Sequence, residues 1–307
     1  MRVADDAGQP VVGLTAADFT VRIDGRPAAV DSVEWVSDGS PAVRDTPPLE
    51  VRKIEANRKA NQDGRWMVFL YQKHTDLSDV EGVMRLRRDF AVFSKIVAAG
   101  DHVAILSFDT RLRLWLDFTN DVERIRRVIE HDILVGSPPP IPASAAPSVA
   151  AVLSREVMDA TYTIEESLRL LGDLLNPLPG AKSIIVLGFG MGTWIPAFGV
   201  VQMDNDYTET VYSLLEARVS VFCVDVTKAD YHPREEGLRI VADQTGGLYL
   251  NSHIFTAAVF DRIAGALAGY YVLLVAPPDG PKGERHVEIT LPRQRGTVMG
   301  KHVYLAR

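Results

Sequence analysis

The sequence contains a single cysteine, Cys223, among its 307 residues, which excludes a disulfide bond within the chain. It also lacks an excess of positive charge, because 33 lysine and arginine residues stand against 40 aspartate and glutamate residues and leave a net charge of −7. A general electrostatic affinity for nucleic acid or for an anionic membrane is therefore not expected. No apolar run approaches the roughly 18–20 residues that a membrane-spanning helix needs, so no integral membrane segment is predicted.

Motifs of common hydrolases and metalloproteases are missing as well. The sequence has neither a Gly-x-Ser-x-Gly elbow nor a His-Glu-x-x-His motif, and its seven histidines are scattered. Cys223 lies in the apolar run VSVFCVDV, which predicts a buried core residue rather than a nucleophile. The adjacent pairs Glu165-Glu166 and Glu235-Glu236 are interpreted as solvated helix faces. We therefore predict that the protein is not an enzyme and needs no cofactor or metal.

Residues 65–268 alternate between apolar runs of strand length and amphipathic segments with helical periodicity. The runs include WMVFLY, HVAILSFD, SIIVLGF and VSVFCVDV. Continuous apolar runs are typical of parallel strands that are buried on both faces. Their alternation with helices predicts an α/β fold of Rossmann type, with a mostly parallel sheet flanked by helices. The segment LRLWLDFT is predicted to be an edge or hairpin strand, and Asp225 is expected to cap the loop after its strand.

The two ends of the chain have a different character. Residues 1–40 are predicted to be β-structure, with hairpin turn chemistry at Asp24-Gly25, and residues 41–64 to be a polar connector. Residues 269–307 are predicted to form three antiparallel strands that pair with the N-terminal segment. A small antiparallel β domain would then be built from both chain ends. The Pro/Ala/Ser-rich stretch 136–150 is predicted to be an irregular loop.

Several short motifs together resemble the von Willebrand factor A (VWA)-related proteins of certain bacteria, over nearly the whole chain. The motifs are Gly8-Gln9-Pro10-Val11-Val12-Gly13-Leu14-Thr15, Asp18-Phe19, Asp24-Gly25, Gly100-Asp101-His102-Val103, Phe118-Thr119 and Gly269-Tyr270-Tyr271-Val272. The resemblance implies a VWA-like fold, a protein partner, and export, hence a periplasmic or extracellular location in bacteria. No basic start followed by an apolar segment is present, so no signal peptide is predicted within this sequence.

The resemblance also implies where a divalent cation would bind, namely at an Asp-x-Ser-x-Ser motif, a threonine and a second aspartate. It places Tyr71 at the first aspartate, Lys73 and Thr75 at the serines, Phe189 at the second aspartate, and the threonine near Thr161. Magnesium requires oxygen ligands that include a carboxylate, and the ammonium of Lys73 would oppose a cation. We therefore expect a degenerate metal-ion-dependent adhesion site that binds no metal.

Two alternatives stay open at this loop. Asp76 and Ser78 keep an Asp-x-Ser spacing, so a shifted site is conceivable, although Ser78 also fits the role of a helix cap. Lys73 is either a solvated loop lysine or a replacement for the cation that meets an acidic group of the partner.

The loops after the predicted strands supply the candidate partner-binding residues, because open α/β sheets bind ligands at the carboxyl ends of their strands. The aromatic loop after SIIVLGF either anchors an interface or packs under the stretch 136–150. The candidates are Lys73, His74, Thr75, Thr193, Trp194 and Phe198. The main hypothesis is a non-enzymatic interaction domain. Alternatives are a nucleotide- or cofactor-binding protein that uses the glycine-rich loop 188–193, and a structural subunit of a homo-oligomer.

Overall fold

The computed structural model describes residues 1–37, 64–73, 96–98, 100–133, 136–142, 147–227, 231–252, 256–276, 278–280, 282–292 and 296–306. The strands are, in chain order, β1 Arg2–Ala4, β2 Thr20–Ile23, β3 Arg26–Ser37, β4 Trp66–Gln72, β5 His102–Phe108, β6 Leu112–Thr119, β7 Lys182–Gly188, β8 Thr193–Ile195, β9 Val200–Gln202, β10 Val219–Asp225, β11 Tyr249–Asn251, β12 Gly269–Ala276, β13 Gly283–Thr290, β14 Thr297–Met299 and β15 Val303–Ala306. The helices are α1 Val122–Arg127, α2 Val149–Val152, α3 Arg155–Asp159, α4 Ile164–Leu175, α5 Tyr207–Glu216, α6 Glu235–Thr245 and α7 Thr256–Leu267.

The central sheet has six strands in the order β11-β10-β7-β4-β5-β6. Its strands are parallel except for β6, which runs antiparallel to β5 at the edge. The predicted α/β class and the edge position of LRLWLDFT are thus confirmed. Numbered by their sequence within this sheet, the strands follow the doubly wound order 3-2-1-4-5-6. The order reverses between β4 and β7, and ligands of such sheets bind beside that point, at the carboxyl ends of the strands.

Helices cover the sheet on both faces, which explains why its central strands are mostly apolar. On one face Met67 and Phe69 of β4 pack with Phe260 of α7. On the other face Val68 and Leu70 pack in a core that includes the apolar stripe of α4, namely Ile164, Leu168, Leu171 and Leu175. Every residue of β4, β7 and β10 is buried, so both faces of these strands contribute to the core.

Strands from both ends of the chain share a second sheet, with the order β12-β3-β2-β13-β15. The turn between β2 and β3 uses positive φ angles at Asp24 (50°) and Gly25 (74°), as a two-residue hairpin requires. Tyr271 fills the core of this sheet, with its ring 5.6 Å from Phe19 and 4.8 Å from Trp35. The register partners Ser37 and Gly269 mark where the chain leaves and re-enters this sheet.

One detail differs from the sequence-based prediction. Helix α2 begins at Val149, inside the stretch predicted to be irregular, because Ser148 caps it by accepting a hydrogen bond from the Ala151 N–H at 3.1 Å. The predicted connector 41–64 lies outside the described residues except for Gly64, and the predicted domain boundaries stay predictions. Within the described ranges, no helix combines the length and the hydrophobicity that crossing a bilayer requires.

Candidate functional site

The crevice between the carboxyl ends of β4 and β7 is occupied by the side chain of Gln72. Its Nε2 donates to the carbonyl of Gly190 at 2.7 Å. Its Oε1 accepts from the N–H groups of Phe189 and Gly190 at 2.9 and 3.3 Å. Gln72 is buried, and the switch point of the sheet is therefore closed by a side chain of the protein itself.

The glycine-rich loop 188–193 uses its N–H groups inside the protein. Besides the two bonds to Gln72, the Met191 N–H donates to the carbonyl of Arg234 at 3.2 Å, and the Gly192 N–H donates to Glu165 Oε1 at 3.1 Å. A phosphate-binding loop presents free N–H groups and opens a helix, whereas this loop leads into β8. The hydrogen bonds of this loop therefore disfavour the nucleotide-binding alternative.

Glu165 and Glu235 are not on solvated faces, in contrast to the prediction. Both are buried, and each has a polar partner that compensates for its burial: Glu165 accepts from the Gly192 N–H, and Glu235 pairs with Arg239 at 2.8 Å. Burial raises the pKa of Glu165.

The positions at which the sequence resemblance places metal ligands carry no carboxylate. Tyr71 and Phe189 are 2% and 9% exposed, and the Tyr71 hydroxyl has no hydrogen-bond partner among the described residues. The Thr161 hydroxyl donates to the carbonyl of Val157 at 2.9 Å, so a backbone group already occupies it. Thr75 lies outside the described residues, as do Asp76 and Ser78.

One group in the described structure has the composition of a metal site, namely Asp225, His232 and Glu235, with ligand atoms within 4.8 Å of one another. These atoms already take part in hydrogen bonds with one another or with Tyr249. Asp225 Oδ2 lies 2.8 Å from His232 Nε2, and the Tyr249 hydroxyl donates to Asp225 at 2.8 Å and to Glu235 at 3.2 Å. Burial opposes ionisation of Asp225, but hydrogen bonds from His232 and from the Thr227 N–H outweigh it and lower the pKa. We interpret the group as a polar network that joins β10, α6 and β11. Asp225 also caps the following loop, as predicted.

Lys73 is half-buried at the carboxyl end of β4, with its Nζ 4.8 Å from the centre of the Trp115 ring. The backbone N–H of Lys73 donates to the carbonyl of Phe108 at 2.8 Å, which fixes the backbone beside β5. Burial lowers the pKa of Lys73, and the Asp109 carboxylate opposes that shift. Lys73 is therefore held by its neighbours rather than freely solvated.

Two arginines at the same edge of the sheet also lie over aromatic rings. The guanidinium of Arg111, between β5 and β6, is 3.9 Å from the centre of the Tyr162 ring. That of Arg234, just before α6, is 5.2 Å from the centre of the Phe189 ring. Neither arginine was among the predicted site residues.

The predicted residues Thr193, Trp194 and Phe198 belong to the hairpin formed by β8 and β9. Thr193 is exposed, Trp194 is half-buried, and Phe198 is 79% exposed at the tip. Phe198 is thus not packed under the stretch 136–150. The hairpin follows β7 and Lys73 follows β4, which places both at the same edge on adjacent strands. His74 lies outside the described residues.

No protein-family model matches the sequence, and no curated protein matches it either. Solved structures of low identity are similar to it. Proximal thread matrix protein 1 from the mussel byssus, with a zinc-occupied MIDAS motif, has 11% identity and a TM-score of 0.44, over 74% of this chain and 54% of that one. An aerotolerance-related membrane protein from Bacteroides fragilis has 13% identity and a TM-score of 0.42, over 66% of this chain and 98% of that one.

A single-residue variant of the PilB minor pilin from Streptococcus sanguinis has 12% identity and a TM-score of 0.40. This similarity covers 66% of this chain and 61% of the pilin. The chain thus spans less than two thirds of the pilin and of the mussel protein. Similarities of this size do not assign a function.

Proposed function

We propose that the chain is a metal-independent, VWA-like interaction domain that binds a partner protein through the carboxyl edge of its central sheet. The observation that carries this proposal is the β8–β9 hairpin, which exposes 79% of Phe198 and 51% of Val200 at that edge. Exposed apolar side chains on an ordered hairpin are suited to anchor a protein interface. The edge is also the one where open α/β sheets bind ligands.

The proposed metal independence is supported by the side chains at the positions where the resemblance expects metal ligands. Tyr71 and Phe189 fill the space with buried rings, and Lys73 adds a positive charge nearby. Among the described residues, Tyr71, Lys73 and Phe189 themselves offer a cation no carboxylate ligand.

Isothermal titration of Mg²⁺, Mn²⁺ and Ca²⁺ into chelator-treated protein tests the metal-independent part. We expect no binding heat from the wild type. A Tyr71→Asp, Lys73→Ser, Phe189→Asp variant restores two carboxylates and a hydroxyl, and we expect it to gain binding. Submillimolar binding by the wild type would contradict the proposal and make Asp76 and Ser78 the leading ligands.

The partner-binding part is tested by comparing the proteins that cross-link to the wild type and to a Phe198→Ser, Val200→Ser variant in a lysate of the source cells. We expect a specific partner band that the hairpin variant loses. A Val12→Ser variant is the control, because Val12 is 60% exposed but belongs to the N-terminal segment. An unchanged band with the hairpin variant would contradict the proposed surface.

A periplasmic or extracellular location in a bacterium belongs to the same proposal and rests on the sequence resemblance. Fractionation of source cells, followed by detection with an antibody, checks the location. The homo-oligomer alternative predicts a molecular mass that falls on dilution in light scattering, and hairpin variants that change assembly alone.

A further inference from the structure

Three cations at the carboxyl edge of the sheet are held over aromatic rings instead of being paired with carboxylates. They are Lys73 over Trp115, Arg111 over Tyr162 and Arg234 over Phe189. A ring attracts a cation through its quadrupole and orients it, but it carries no net charge that could neutralise the cation. The three side chains are thus positioned while their charge stays available to a ligand.

Other arginines at this edge show the contrast. Arg113 forms an ion pair with Asp159, and Arg239 forms one with the buried Glu235. Within the described part of the chain, Lys73, Arg111 and Arg234 have no carboxylate at ion-pair distance. Asp109 is near enough to Lys73 to affect its pKa, but one of its oxygens accepts from the Thr110 and Arg111 N–H groups.

The strand order places these cations, or the ring beneath them, at the ends of adjacent strands. Arg111 follows β5, Lys73 follows β4, and Arg234 lies over the ring that follows β7. Strands β5, β4 and β7 are adjacent, and neighbouring strands are about 4.8 Å apart, so the outer two strand ends are about 10 Å apart. A short segment of polypeptide with several carboxylates matches this row in length and in charge.

We propose that Lys73, Arg111 and Arg234 bind an acidic segment of the partner protein, a stretch of aspartate or glutamate side chains, beside the hairpin anchor. This inference rests on the proposed function and adds the chemical class of the partner. A protein carboxylate is favoured over nucleic acid or an anionic membrane, because the chain as a whole has a net charge of −7 and would be repelled from an extended polyanion.

The test uses fluorescein-labelled peptides in which serine alternates with glutamate or, as the matched control, with glutamine. Fluorescence anisotropy with the full chain should show at least about tenfold tighter binding of the glutamate peptide at low salt, since hydrogen bonds between charged groups are stronger than those to a neutral amide. That preference should shrink as sodium chloride is raised, because salt screens exposed charges. Equal affinity for the two peptides would overturn the inference.

Variants assign the effect to the three side chains. Lys73→Met, Arg111→Met and Arg234→Met keep much of the aliphatic stem and remove the charge. Each should weaken glutamate-peptide binding severalfold, and the Lys73→Met, Arg111→Met pair should abolish the preference over glutamine. Arg127→Met is the control, because Arg127 is exposed on α1, which follows the antiparallel β6 at the opposite edge of the sheet. Equal losses with the control would overturn the inference. Circular dichroism establishes that each variant is folded.

Failure of this inference is distinguishable from failure of the proposed function. If the cation variants keep the cross-linked partner while Phe198→Ser, Val200→Ser loses it, the interaction surface stands and the acidic segment is wrong. Three competitors are compared for displacement of the labelled glutamate peptide: an oligothymidylate, phosphatidylserine vesicles and unlabelled glutamate peptide, each at equal concentration of negative charge. If the oligothymidylate or the vesicles compete better than the unlabelled peptide, the edge binds polyanions of another class and the inference is overturned.

Discussion

The side-chain amide of Gln72 lies against Gly188 and leaves no room for a Cβ atom on that glycine. The same amide accepts from the Phe189 and Gly190 N–H groups and donates to the Gly190 carbonyl. Gly188 and Gln72 therefore act together to close the switch point of the sheet and to hold the loop that leads into the hairpin.

Gly188→Ala is expected to displace Gln72 and to leave buried N–H groups without an acceptor. Overpacking and the lost hydrogen bonds together should lower the free energy of unfolding by about 2–4 kcal/mol, measured by urea denaturation. Gly300→Ala is the control, because the atoms nearest to a Cβ there are 3.7 Å away. Equal stability of the two variants would show that the amide moves aside at little cost.

Tyr71→Phe is expected to stabilise the protein by up to about 1 kcal/mol, because it removes a buried hydroxyl that has no partner among the described residues. Tyr271→Phe is the matched comparison. Its hydroxyl accepts from the Leu14 N–H at 3.0 Å and donates to the Val11 carbonyl at 2.9 Å, so its loss should cost about 1–2 kcal/mol. Thermal unfolding of both variants measures the difference. Destabilisation by Tyr71→Phe would reveal a partner outside the described residues.

Lys301 should make stability depend on pH. Burial, and then the charges of Arg218, Lys182 and Arg2, lower its pKa to about 7, while Lys182 has a pKa of about 8. Since unfolded lysine has a pKa of about 10.4, the unfolded chain binds more protons between these values, and stability rises with pH. Lys301 alone should add about 2 kcal/mol between pH 7 and 9, because the unfolded chain holds up to one more proton there and each pH unit then contributes up to about 1.36 kcal/mol.

Urea denaturation at pH 7, 8 and 9 checks this dependence. Lys301→Met should flatten the rise, whereas the control Lys282→Met, at an exposed position, should leave it unchanged. Parallel curves for the wild type and Lys301→Met would show that Lys301 is solvated in the folded protein.

Asp101→Ala is expected to cost about 3–5 kcal/mol, because it leaves the buried guanidinium of Arg65 without its carboxylate. The carboxylate accepts from Arg65 Nη2 at 2.6 Å and Nε at 2.9 Å, and also from the Ala98 N–H at 2.7 Å. Arg155→Met breaks an exposed ion pair with Asp159 and should change the unfolding free energy by less than about 1 kcal/mol. A similarly small loss for Asp101→Ala would mean that water replaces the carboxylate.

The strands of the central sheet could be predicted because continuous apolar runs such as WMVFLY are specific for strands buried on both faces. Local chemistry also accounts for two helix ends: Asp121 accepts from the Glu123 and Arg124 N–H groups, and Gly246 has a φ of 69°. Such features depend only on residues that are neighbours in sequence, and they can therefore be predicted from the sequence alone.

The site was less accessible to prediction because its partners are distant in sequence. In the sequence, Gln72 is the polar residue that follows the apolar run WMVFLY, and only the tertiary structure places its amide against the loop at Phe189. Arg111 and Arg234 read as ordinary loop arginines until Tyr162 and Phe189 are found beneath them. Lys73 was identified because it occupies a position where the resemblance expects a metal ligand.

The register pair Ser37 and Gly269 also has a mechanical meaning. Strands β3 and β12 pair over most of their length, and the chain between them contains the whole central sheet. Tension applied along β3 and β12 would be borne by the hydrogen bonds between these two strands, and the α/β part would stay unloaded until that pairing ruptures. The β-sheet built from the two chain ends would thus keep such tension from reaching the proposed binding edge.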